Sequence, residues 1–82
     1  MKSFNTETEL YKRVLPALKT KRHELIKDGI EIINEKDIWN YNKINKWRTD
    51  TGLTLAKMVD DILNTENDKY YEYKLNKMKE SD

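Results

Sequence analysis

The sequence predicts an all-α fold, a compact bundle of three to four short helices, and three observations lead there. Apolar residues recur every three or four positions instead of alternating. Two glycines and one proline punctuate the periodic stretches. Residues suited to helix capping stand before them, and the links between them are short.

Thr6-Glu7-Thr8-Glu9 reads as a capping box, and a first helix follows over about residues 7–28. Gly29, free to adopt a left-handed backbone, ends it. At 100° per residue Leu10, Tyr11, Val14, Leu15, Leu18, Leu25 and Ile26 share one broad arc, and Lys12, Lys19, His23 and Lys27 lie opposite. Pro16 either kinks this long helix or opens a second one, and the kink is the preferred reading. Ile30-Glu31-Ile32-Ile33 is an extended link that drops Ile30, Ile32 or Ile33 into the core. Asn34 caps a second helix that runs to about Trp47, with Glu35 and Asp37 favoured in its first turn by the helix dipole. Residues 48–52 form a polar turn. Thr54 caps a third helix with Leu55, Met58, Val59 and Ile62 as its apolar stripe, Leu63 beside it, and Lys57, Asp60 and Asp61 outward. Residues 64–67 form a loop. Asn67 or Asp68 caps a fourth helix that ends near Lys79 and buries Tyr71, Leu75 and Met78.

With 82 residues the chain suffices for one helical domain over 1–82, its ends at 1–5 and 80–82 expected to be disordered. Leu, Ile, Val and Phe supply 18 of the residues, which is just above the roughly 20% below which charged chains stay unfolded. In so small a core Trp39 and Trp47 matter for stability. No apolar run approaches the ~18 residues that span a bilayer, and the first residues lack the apolar centre of a signal peptide. The expected setting is cytoplasmic, without membrane insertion.

The chemistry excludes most enzymes. There is no cysteine, no glycine-rich phosphate loop and no histidine pair for zinc. His23 is the only histidine and sits on the polar side of the first helix. Asp60 and Asp61 are adjacent in sequence, so on a helix they diverge and do not converge on a metal. A non-enzyme that needs no cofactor and no metal is expected.

Charge is nearly balanced overall, at +1, but it is segregated. Residues 12–27 hold six basic side chains against Glu24, and 43–48 hold Lys43, Lys46 and Arg48. Residues 49–68 are acidic, and 69–79 are basic again. The basic segments can merge into a patch that tracks phosphates. In the second helix Ile38, Tyr41 and Ile44 share one side, while Trp39, Lys43, Lys46 and Trp47 gather on another. Tyr70, Tyr73, Lys74 and Lys77 repeat an aromatic and basic pattern in the fourth. Such faces stack on unpaired bases or anchor a protein partner, and core burial of the tryptophans is the plainer alternative. Asn42 interrupts the apolar pattern of the second helix. As a recognition helix in a DNA groove the third helix would present two carboxylates to phosphates, so specific duplex DNA binding is not expected.

Pro16-Ala17-Leu18 with Lys21 and Glu24, then Asp37-Ile38-Trp39, Lys46-Trp47, Leu55 with Val59-Asp60-Asp61-Ile62-Leu63, and Tyr70-Tyr71 with Tyr73 follow one another in a specific order. Over residues 10–73 this order resembles the ComN-type post-transcriptional regulators of Gram-positive bacteria. The resemblance implies a regulator acting on messenger RNA of a competence operon. It also implies association with the coiled-coil scaffold DivIVA at cell poles or the division septum. It supplies no contact residues. The candidates, for RNA or a protein partner, are therefore Lys12, Lys19, Lys43, Lys46, Arg48, Trp47, Tyr70 and Tyr73. The alternative function is an adaptor that docks such a coiled coil without touching RNA.

Overall fold

The computed structural model describes residues 7–47 and 52–80, and among them there is no strand. Four helices pack round one apolar cluster: α1 (Glu7–Lys27), α2 (Glu35–Asn42), α3 (Leu55–Asn64) and α4 (Asn67–Glu80), with a π-helical turn, Lys43–Trp47, continuing α2. The all-α bundle read from the sequence is the fold observed.

Helix α1 runs unbroken through Pro16, and the Thr20 hydroxyl donates to the Pro16 carbonyl at 3.0 Å. Val14, Leu18 and Leu25 are buried as expected, and Leu10, Tyr11 and Leu15 pack partly against them. Ala17 and Lys21 join the buried face as well. The helix ends in a Schellman motif. Gly29 takes φ +85°, its N–H donates to Ile26 O, and the Ile30 N–H reaches back to Leu25 O. No atom lies near where a Cβ would stand, so a side chain at Gly29 would be opposed by backbone conformation alone. Thr6, expected to cap α1, lies outside the described residues. Of the isoleucine link, Ile33 is buried, Ile30 is half-buried and Ile32 is exposed.

Asn34 caps α2 through a full capping box. Its side chain accepts from the Asp37 N–H, and the Asp37 carboxylate accepts from the Asn34 N–H, both at 3.0 Å. The same carboxylate takes the Lys74 ammonium at 3.0 Å, which ties α4 to α2. The second helix was expected to stay regular to Trp47, but its last turn is a π-turn. Two asparagines explain it. Asn42 donates its amide to Ile38 O and Asn45 donates to Tyr41 O, four residues back in each case. These side chains compete with the backbone donors for the helix carbonyls, and the turn widens. In a regular α-helix Trp47 would sit about 80° round the axis from Trp39. The wider turn takes up most of that offset, and the two indoles meet edge-on at 5.4 Å, both buried. The expected turn over 48–51 lies outside the described residues, and Gly52 is in a turn.

Thr54 caps α3, accepting from the Lys57 N–H at 3.1 Å. Met58 and Ile62 are buried, and Leu55, Val59 and Leu63 are half-buried, as the spacing predicts. Asp61 is not outward as expected. Its carboxylate receives the Trp47 indole N–H at 2.9 Å and lies 3.8 Å from Lys57 Nζ.

The expected face of α4 is wrong. Tyr71, Leu75 and Met78 are 40%, 38% and 51% exposed, while Tyr70 is 1% exposed and Tyr73 and Lys74 are half-buried. The cause is the carbonyl-rich end of α3. The last carbonyls of a helix have no donor within it and must find one elsewhere. Ile62 O receives the Tyr70 hydroxyl at 2.9 Å and Leu63 O receives Lys21 Nζ at 3.2 Å. Asp61 O receives the Thr65 hydroxyl at 2.6 Å. Asn42, completely buried, donates to the Tyr70 oxygen at 3.0 Å. Side chains from α1, α2, α4 and the α3–α4 link thus close one polar knot at the end of α3. The polar residue that seemed misplaced on α2 is one of its members. Lys21, 2% exposed, balances its charge against Glu24 at 3.1 Å and lies over the Tyr70 ring.

Candidate nucleic-acid interface

Among the exposed residues of α1, Lys12, Lys19, His23 and Lys27 face away from the core. They form a ridge spanning about 22 Å at 1.5 Å per residue. Glu9 and Glu24 flank it. Glu9 is paired with Arg13 at 3.4 Å and Glu24 with the buried Lys21. The carboxylates of Glu9 and Glu24 are thus held by other cations, while Asp28, exposed beside Lys27, accepts from the Asn67 amide at 2.6 Å. Helix α3 packs on the opposite, buried side of α1. Its exposed Asp60 therefore lies away from the ridge, while the segment carrying Glu66 and Asp68 meets the Lys27 end of α1 through the Asn67–Asp28 bond.

At the N-terminal end of the ridge a groove of about 370 Å³ separates α1 from α2 and is lined by Thr8, Tyr11, Lys36, Trp39, Asn40 and Lys43. Lys36 and Lys43 stand two helical turns apart on one side of α2. Lys36 Nζ lies 6.0 Å from the centre of the Tyr11 ring, which meets Trp39 edge-on at 5.3 Å. Burial, with the Glu35 carboxylate nearby, holds the Tyr11 hydroxyl above its usual pKa of 10.0. The groove thus combines ammonium groups with an aromatic wall, a pairing suited to a nucleotide backbone and its bases.

The expected contact residues divide accordingly. Lys12 and Lys19 belong to the ridge, Lys43 lines the groove, and Lys46 is exposed on the π-turn. Arg48 lies outside the described residues. Trp47, 7% exposed, and Tyr70 are core residues whose rings offer no free face for stacking, which corrects their place among the contact candidates. The indole pairs with Asp61 and the phenol belongs to the knot on α3. Tyr73 is half-buried against Tyr41, with Lys77 over its ring at 5.8 Å. Tyr11, Lys27 and Lys36 are the additions. The seven-residue interval between Lys36 and Lys43 was the available signal for the groove.

Among the described residues no group of three or more histidine, aspartate or glutamate side chains could hold a metal. No described helix is long and apolar enough to cross a membrane. In comparison with protein-family models, residues 8–81 match the family described as post-transcriptional regulator. No curated protein and no solved structure gives a significant match.

Proposed function

From the premise that this chain belongs to the post-transcriptional regulator family, we propose that it is a non-enzymatic cytoplasmic protein that contacts messenger RNA directly. The observation that carries the reading is the ridge of Lys12, Lys19 and Lys27, whose flanking carboxylates are engaged by Arg13 and Lys21. Phosphates on an unpaired strand follow the ridge, and the groove beside Tyr11 takes the strand at its end through Lys36 and Lys43. Duplex DNA is a poor alternative, since the exposed part of α3 brings Asp60 toward any groove it would enter. Transcripts of the competence operon, implied by the ComN-type resemblance, are the first targets to offer.

The test is fluorescence anisotropy with a labelled single-stranded RNA at low salt. A Lys12→Gln/Lys19→Gln/Lys27→Gln variant weakens binding roughly tenfold or more, because each lost phosphate contact removes counterion release. Its melting temperature stays near that of the parent, the three side chains being exposed. Equal affinity of variant and parent contradicts the proposal.

A further inference from the structure

The face of α4 left outside the bundle carries two parallel stripes. Tyr71, Leu75 and Met78 are spaced four and three residues apart, the interval of a coiled-coil seam. Advanced by one residue, Glu72, Asn76 and Lys79 repeat that interval, all exposed. Glu72, Leu75, Asn76, Met78 and Lys79 border one open depression. From Leu75 to Lys79 every residue is exposed, Leu75 at 38% and Met78 at 51%, so the last turns of α4 receive little packing from the bundle. Helices draw most of their stability from such packing.

We infer that this face is covered by the same face of a second copy, with the two α4 helices packed antiparallel about a two-fold axis near Leu75. The charges select this occupant. The polar stripe has an acid at one end, an amide in the middle and a base at the other. A two-fold axis through its centre sets Glu72 of each copy against Lys79 of the other and brings the two Asn76 amides together. Tyr71 of each copy then meets Met78 of the other across Leu75. A contact of this kind is self-complementary, as a two-fold interface requires. A parallel pairing would instead put the two polar stripes on opposite sides of the seam, where Glu72 and Lys79 do not meet. The contact is small against the ~800 Å² per partner of a standard interface, so the dimer is weak, with a Kd on the order of 10 μM or higher. The inference is independent of RNA binding.

Sedimentation equilibrium of the full chain over a concentration series reads it directly. The expected mass rises from monomer toward dimer with concentration. Glu72→Lys and Lys79→Glu each set like charges across the axis and leave a monomer over the same range. A 1:1 mixture of the two variants restores the dimer, since both crossed pairs are then opposite in charge. Circular dichroism of each variant, unchanged from the parent, shows that the helices persist. A parent that stays monomeric throughout overturns the inference, and leaves the α4 face to a different protein's helix. A dimer indifferent to both substitutions overturns it too, because its interface then lies elsewhere.

Discussion

Tyr70→Phe deletes one oxygen from the knot at the end of α3. That oxygen donates to Ile62 O at 2.9 Å and accepts from the Asn42 amide at 3.0 Å. The ring remains, with its edge contact to Tyr41 and the Lys21 ammonium above it, so little apolar burial changes. Two buried polar groups lose a partner. The Asn42 carbonyl oxygen already has none, so the amide keeps only its bond to Ile38 O. A buried group stranded in this way costs about 1–3 kcal/mol; the Asn42 amide, which keeps one bond, stands at the low end, about 1 kcal/mol, and the sum is roughly 2–4 kcal/mol. A domain this size holds only about 4–12 kcal/mol in total, so the loss is a large share of it. At about 4–8 °C per kcal/mol the melting temperature falls by roughly 8–32 °C. Thermal circular dichroism and urea unfolding measure it, and an Asn42→Ala partner variant completes a double-mutant cycle with a coupling of about 1 kcal/mol or more. A Tyr70→Phe protein melting within about 2 °C of the parent refutes the assignment of these polar contacts as ties holding α3 to α4.

Asp61→Ala leaves the Trp47 indole N–H without its acceptor and costs about 1–2 kcal/mol, read by urea unfolding with tryptophan fluorescence; an unchanged midpoint contradicts the role given to Asp61. Alkaline titration is a second check. Burial raises the Tyr70 hydroxyl above its unfolded value of 10.0, outweighing its hydrogen bond with Asn42, and Tyr11 is raised likewise. Below pH 10 the stability linked to these protons is fully present; it is lost as pH rises from there through the folded-state values, since the unfolded chain releases them first. Tyrosinate absorbance of the folded protein therefore lags behind that of the urea-unfolded chain, and Tyr70→Phe shrinks the lag. Coincident titration curves contradict the burial of Tyr70.

The helices were legible because their signals are local. Asn34, Thr54 and Gly29 mark boundaries through chemistry within four residues of each, and the stripes of α1 and α3 follow the helical period. The face of α4 was not legible, because periodicity favours Tyr71, Leu75 and Met78 while the carbonyls of α3 demand Tyr70. That demand arises from a helix end eight residues earlier in the chain, and no window of sequence displays it. For the same reason Lys21 and Asn42 read as surface or misplaced residues until their acceptors were in place. At the candidate interface the lysines of α1 were legible, since solvent exposure follows the helical period. The fate of Trp47 depended on the widened turn, which two asparagine side chains create.

The claim that this chain grips RNA through backbone charge is tested most directly by the salt dependence of binding. With three to five lysines on phosphates, a plot of log affinity against log salt for single-stranded RNA falls with a slope of about −2 to −3.5. A flat plot, or no binding at the lowest salt, contradicts it.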